Sequence, residues 1–369
     1  MTNSLLVQIV PGRGEPADCV RSFVFDANLY AQEASGDPAA SSAPSRVVQR
    51  LQGSNESQTY LFGLTSPTPL EVGALGLPTI SAVEPSPELD FDGFIHISLP
   101  LLEETQNAEI ECVLAAGLLP MPGEELSAEA YGVAEQLVDA ALDLAHKLGR
   151  SVAQVGMLYP ADADYSYDPF SGPYIARGFA QKHAEHQMFV EFPDTPARPF
   201  PVASRKFHVF ADYDIPAEYL DDILELLTVA STDAVYGDLS TEPIYWTAQR
   251  LEEAHRRLRA RRSHTLLVAV EEAGRIVALT ELSRHADADP EVCEWTLTVT
   301  ARDRRRRGLA TAAKLHALHE VAHWWPDARR AYCSVADADP AMNRIYKHLG
   351  AKVISTSSAC LLYTSDAAD

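Results

Sequence analysis

Five arginines fall between Arg302 and Arg307, interrupted only by Asp303, and they stand directly before Gly308, Leu309 and Ala310 in "TARDRRRRGLATAAK". A long strand-like run precedes them and an alanine-rich helical segment follows, so they sit in the turn between the two. A helix N-terminus leaves backbone N–H groups unpaired and carries partial positive charge. A small residue in the turn lets an anion approach that backbone closely. The stretch reads as a cradle for a pyrophosphate, with Arg305, Arg306 and Arg307 adding charge at its rim. Arg302 and Arg304 are left free to face water. The chain as a whole has a formal net charge of -22, and such a field repels phosphate polymers and anionic membranes. A general nucleic-acid patch is therefore a poor account of the run.

The strand ahead of the turn, "EVCEWTLTVTA", alternates. Period-two geometry puts Glu294, Thr296, Thr298 and Thr300 on one face and Trp295, Leu297 and Val299 on the other. The apolar face is expected against helices, leaving Glu294 on a polar face that can line a cleft. After the turn come a helix, a strand "RAYCSVA", and a helix opened by Asp339-Pro340 and stopped by Gly350.

The spacing Arg305-x-x-Gly308-x-Ala310 resembles the R/Q-x-x-G-x-G/A signature of the GNAT superfamily of N-acetyltransferases. "NRIYKHLGAKV", about 35 residues later, is similar to that family's tyrosine-bearing helix followed by "LGF". "TDAVYGDLSTEPIYWTAQRLEEAH" further resembles tandem-domain members, the group that includes mycothiol synthase and its relatives. The resemblance covers the C-terminal half. It implies an acyl-CoA N-acyltransferase using acetyl-CoA as co-substrate and no metal. By that resemblance the co-substrate contacts are Thr298, Val299 and Thr300 on the strand, Arg305, Arg306, Arg307, Gly308, Leu309, Ala310 and Thr311 in the loop, and Asp339 and Asn343 beyond. The backbone N–H of Val299 or Thr300 is the implied oxyanion donor. Asp339 replaces a common asparagine and is also placed to cap its helix. Ala351 replaces the usual aromatic after Leu349-Gly350.

Acyl transfer to an amine needs a free lone pair, a polarised thioester carbonyl and a proton for the leaving thiolate. By resemblance Glu294 stands where histone acetyltransferases of the superfamily keep a general base, with Glu281 on the preceding strand as second choice. Tyr346 takes the place of the family's general acid. The expected acceptor is a primary amine on a small molecule. Other readings are a mycothiol-synthase-like activity, an aminoglycoside-type acetyltransferase, and a non-catalytic acyl-CoA sensor or scaffold.

These residues need a scaffold. The proline-rich "EFPDTPARPFPVASRKF" marks a linker at 193–204 between domains 1–192 and 205–359. The second half reads β-α-α-β-β-β-α-β-α-β, with Asp214 as a helix cap ahead of Pro216 and Ala273-Gly274 as a hairpin turn. The first half repeats much of that order, with surface insertions at 32–45 and 66–90. The fold class is α/β with mixed sheets: two tandem GNAT folds packed in one chain, each a mostly antiparallel sheet flanked by helices. In the first half the position of the arginine loop is "LLPMPGEELSAEAYG", where Glu124 and Glu125 oppose a dianion. That half is expected to be degenerate and to support the other.

Other signals carry less. His316, His319 and His323 read as an exposed stripe rather than a metal site. Asp162, Asp164 and Asp168 read as a solvated acidic turn without the calcium-loop pattern. Five scattered cysteines without a CxxC pair suggest a reduced, cytoplasmic protein, and no apolar run reaches membrane-spanning length. "CLLYTSDAAD" at 360–369 looks like a translated sequencing adapter and is set aside from the fold reading.

Overall fold

The computed structural model describes residues 4–121, 124–193, 205–239 and 241–363. Almost all of the expected linker, 194–204, lies outside them. The chain divides into two compact units, each discontinuous in sequence: Met1–Ala184, Asp238–Thr241 and Ser355–Asp369 form the first, and Glu185–Gly237 with Glu242–Ile354 form the second.

The first unit comprises β1 (Leu5–Val10), α1 (Asp18–Ser35), α2 (Pro44–Leu51), β2 (Ser57–Thr65), β3 (Thr79–Ser81), β4 (Phe91–Pro100), β5 (Asn107–Leu114), α3 (Ala128–Lys147), β6 (Val152–Pro160) and α4 (Ser171–Ala176). Alternation along the strands feeds two cores. Phe62, Ile95 and Ile97 meet Leu137, Val138 and Ala141 of α3, while Leu61 and Phe94 meet Phe23 of α1 and Val47 and Leu51 of α2. The segment 66–90, read from its prolines as a surface insertion, instead supplies β3, which pairs parallel with β1. Its Ile80 and Val83 join the second core. Proline and serine density masked a three-residue strand with one buried apolar residue, Ile80.

The second unit takes part of β7 (Ala180–Glu191) and then β8 (Arg205–Ala211), α5 (Ala217–Thr232), α6 (Ala248–Ala260), β9 (Ser263–Glu272), β10 (Arg275–His285), β11 (Val292–Thr300), α7 (Leu309–Trp324), β12 (Arg330–Ala336) and α8 (Pro340–His348). Its sheet runs β7-β12-β11-β10-β9-β8. Helix α5 begins at Ala217 with Pro216 at the cap position and no side-chain cap, so Asp214 does not cap it. Asp339 does cap α8, accepting from the N–H groups of Ala341 and Met342 at 3.0 and 2.9 Å.

Each unit completes its sheet with a strand from the other half of the sequence. Glu185–Glu191 of β7 pair antiparallel with Arg330–Ala336 in the second unit. Ser355–Tyr363 of β13 (Lys352–Tyr363) pair antiparallel with Val152–Pro160 in the first. The compact units are thus not contiguous halves meeting at residue 192. Cys360 to Tyr363 continue β13, with Cys360 and Leu361 buried. Among the described residues no helix is long and apolar enough to cross a membrane.

Candidate active site

Strand β11 carries the first positional surprise. Its pairing with β10 runs Thr300 to Leu297 against Ala278 to Glu281, then slips, so that Trp295 faces Leu282 and Thr296 is the extra residue of a bulge. A one-residue slip exchanges faces. Trp295 accordingly packs with Ala317 and Val321 of α7 and with Tyr346. Leu297 and Val299 pack with Ile223 and Leu226 of α5. The even alternation from Glu294 to Thr300 read from the sequence therefore does not hold. Glu294 lies on the face opposite Thr298.

The bulge coincides with a separation of strands. β11 and β12 pair parallel only at Val292–Glu294 with Arg330–Tyr332. Among the described residues no strand pairs with that edge of β11 beyond Glu294, leaving the backbone of Thr296 to Thr300 open to an extended ligand. Thr298 is fixed by hydrogen bonds to Thr280 Oγ1 (2.7 Å) and its neighbour's carbonyl, Leu297 O (2.8 Å).

The arginine loop begins where β11 ends. Arg302–Arg304 make one short 3-10 turn. Arg306 and Gly308 then adopt left-handed φ values of 62° and 72°. Gly308 is the N-cap of α7, with no side-chain cap and no acidic residue in the first turn. The N–H groups of Leu309, Ala310 and Thr311 have no acceptor within the helix, and Gly308 is exposed. Leu309 is 1% exposed. Burying such a side chain contributes about 1.5–3 kcal/mol and anchors the turn.

Three arginines of the run are held by acids that the sequence reading did not single out. Asp233 accepts three hydrogen bonds from Arg302, at 2.6, 3.0 and 3.2 Å, and another from Arg305. These guanidinium contacts, Arg302 first, hold the Asp233 carboxyl well below the usual carboxylate range. Arg305 also donates to Thr300 O (3.3 Å). Arg307 pairs with Glu272 at 3.2 Å, beside Arg205 at 3.0 Å. Arg302 does not simply face water, and Arg304 lies 3.2 Å from Asp303. Arg306 is exposed and has no ion-pair partner among the described residues. Asp233 and Glu272 thus fix the loop, leaving Arg306 and the helix N-terminus as the positive features toward solvent.

Two carboxylates flank the bulge. Glu294 is 46% exposed at its side chain, with His285 Nε2 3.8 Å away. Glu281 is 5% exposed, accepting from Tyr213 Oη (2.7 Å) and Thr296 Oγ1 (2.5 Å). Burial raises its carboxyl above the ordinary range against the opposing effect of those bonds. Thr296 is exposed, so one hydroxyl separates the carboxyl of Glu281 from solvent. Tyr346, 3% exposed, packs edge-on against Trp295 with ring centroids 5.9 Å apart. Its phenol accepts from Lys314 Nζ at 2.7 Å, and burial pushes it far above its ordinary value. Asn343 uses its amide to donate to Ala336 O (2.9 Å) and Asp339 O (2.8 Å), so both it and Asp339 are committed to the start of α8.

The histidine stripe is not uniformly exposed. His316 stacks on Phe207 at 4.3 Å and lies 3.4 Å from Glu320; His323 alone is exposed. No cluster of metal-ligating side chains occurs among the described residues.

The first unit differs at the corresponding helix. Ser127 caps α3 through its side chain, accepting from Ala130 N at 3.1 Å, and Glu129 sits in the first turn. Glu124 and Glu125 are exposed ahead of it. Strands β5 and β6 also separate after Ile110 and Val155. The split opens on an apolar cavity of about 290 Å³ lined by residues such as Cys112, Leu114, Met157 and Phe170. Asp168 borders it and is buried, not solvated. It accepts from Tyr30 Oη, Leu158 N and Phe170 N, and burial raises its carboxyl to about 6.

A sheet that splits beside an uncapped helix N-terminus defines a class, the acyl-CoA-dependent acyltransferase fold. Residues 231–351 match the Acetyltransferase (GNAT) family. That match lies almost wholly within the second unit, and the fold of the whole chain is that of tandem GNAT structures. It is similar over 98% of its length to 98% of a tandem GNAT protein from the clavulanic acid biosynthesis pathway, with TM-score 0.68 and 16% identity. It is also similar to a GCN5-related N-acetyltransferase from Sphaerobacter thermophilus, with TM-score 0.59, 14% identity and 97% and 95% of the two chains covered. No curated protein sequence matches it.

Several residues at this site escaped the sequence reading. Asp233 and Glu272 are remote acids whose partners only folding reveals. Lys314 had one legible signal: it adjoins the small apolar stripe Leu309, Ala313, Ala317 and Val321 of α7, where a charged residue is out of place.

Proposed function

We propose that the second unit transfers an acetyl group from acetyl-CoA to a primary amine of a small molecule, and that the first unit does not bind acetyl-CoA productively. The reading is carried by one juxtaposition: the Gly308-opened N-terminus of α7 beside the unpaired edge of β11. The N–H groups of that first turn and Arg306 fit a pyrophosphate. The edge of Thr298 to Thr300 fits the amide-bearing arm behind it, with Val299 or Thr300 N–H toward the thioester oxygen. Acetyl-CoA, when bound, supplies the activated acyl group.

Glu281 suits the general base better than Glu294. Its carboxyl is raised by burial and joined through Thr296 to solvent, so it takes a proton from the amine through that hydroxyl or a water. Tyr346 gives a proton to the departing thiolate. Ser127, Glu129 and the exposed Glu124 and Glu125 argue for a supporting role of the first unit, because a capped, acidic helix start repels a dianion. Five buried, unpaired cysteines support a reducing, cytoplasmic setting.

Calorimetric titration of the intact protein with acetyl-CoA, followed by thiol release against an amine panel, tests the reading. Binding at one site with amine-dependent thiol release is the expected result. Binding without turnover supports an acyl-CoA sensor instead, and absence of binding overturns both. Mycothiol-type amino sugars and aminoglycosides belong in the panel.

A further inference from the structure

Lys314 is fully buried, at 0% exposure. Its Nζ lies 4.0 Å over the Trp295 ring and 4.2 Å over the Tyr346 ring. It donates a hydrogen bond of 2.7 Å to Tyr346 Oη. The titratable groups that face it are Cys333 on β12 and Tyr346 on α8, which also hydrogen-bond one another. Among the described residues no carboxylate pairs with the amine. Removing a buried lysine from water without an anionic partner is expensive. An apolar residue would fill this place more cheaply, so the amine is out of keeping with a purely packing role.

We propose that Lys314 is a positioning residue that orients the Tyr346 phenol and restores its proton during acyl transfer. The proposal rests on the acetyl-transfer reading of the second unit. As the thioester carbon–sulfur bond breaks toward sulfur, Tyr346 passes its phenolic proton to the thiolate. The resulting phenolate takes a proton from the Lys314 ammonium along the 2.7 Å hydrogen bond. Once coenzyme A leaves, the neutral amine regains a solvent proton relayed by the Tyr346 hydroxyl, while the base releases the proton it took from the acceptor amine, so protons balance over the cycle. Burial drives the lysine well below its ordinary value, which makes its ammonium a ready donor. The rate should fall as pH rises through the amine's own titration, because only the ammonium can recharge the phenolate.

The test uses the full chain and the variants K314M, K314R, Y346F and K314M/Y346F, with kcat and KM followed by thiol release across pH. K314M is expected to lower kcat by about tenfold or more with KM for acetyl-CoA within about twofold. It should also erase the alkaline limb, and it should add nothing to the loss in Y346F. Losses that multiply, or an alkaline limb that stays in place, would overturn the proposal. K314R guards against misfolding of the methionine variant. Arginine keeps the donor but does not deprotonate, so normal turnover with an unchanged limb would also overturn it. A second readout is independent of activity: NMR titration of 13Cε-labelled lysine in wild type, Y346F and K314M. One signal absent from K314M should titrate below the ordinary lysine range and move in Y346F. If wild type never turns over acetyl-CoA, the acetyl-transfer reading falls. A Lys314 signal titrating near about 10.4 like a free lysine removes the coupled pair itself.

Discussion

Replacing Gly308 with alanine and with glutamate separates backbone strain from charge. Gly308 has φ 72°, and a Cβ built there meets nothing within 4 Å. Alanine therefore adds no clash, only the left-handed penalty of about 1–2 kcal/mol. For a unit of this size that lowers Tm by roughly 2–8 °C. Glutamate meets the same penalty but interacts favourably with the helix N-terminus, recovering up to about 1 kcal/mol. Stability should thus rank glycine above glutamate, with glutamate equal to or above alanine. Binding should rank differently. A carboxylate at roughly 5 Å from a phosphate, at an effective dielectric of about 20, costs about 3 kcal/mol, on the order of 100-fold in Kd. Alanine should weaken acetyl-CoA by less than about tenfold. Calorimetric Kd and thermal unfolding on the same samples read both rankings. Equal Kd values for the alanine and glutamate variants would refute placement of the pyrophosphate at this helix start.

Glu281→Gln should abolish most turnover yet raise Tm at pH 8. A carboxyl raised by burial contributes stability below its unfolded value that is lost as pH rises through its folded one, so the gain in Tm should vanish near pH 4. Asp233→Asn should lower Tm at pH 7, because a depressed carboxyl stabilises above its unfolded value; the loss should shrink as pH falls below about 4, measured by thermal unfolding. Glu124→Ala should leave acetyl-CoA affinity within about twofold by calorimetry, and a larger loss would contradict the supporting role of the first unit.

The legible part of this site was local. Arginines, a glycine at the turn and an alanine-rich continuation lie within about 15 residues of one another, and their chemistry follows from backbone geometry that neighbours dictate. Asp339 before Pro340 was readable as a cap for the same reason. Alternation along β11 looked equally local and misled, because the bulge at Thr296 belongs to the pairing with β10 and not to β11 alone. The same slip separates Glu294 from Thr298, while Thr296 meets the buried carboxyl of Glu281.

Two repeats of one strand and helix order, an anion-accepting turn in one repeat and an acidic replacement in the other are legible along the chain. Folding alone reveals which acids bind the arginines, that a buried lysine stands behind Tyr346, and that each unit takes a strand from the opposite half of the chain. Helix starts and turns are fixed by interactions within a few residues. Partner choice among strands and buried charges is fixed by contacts 30 to 200 residues apart, as with Lys314 and Tyr346 at a separation of 32 or Tyr159 and Ser358 at 199. Those contacts leave no periodic trace in either segment, because each side chain looks ordinary until the other is beside it.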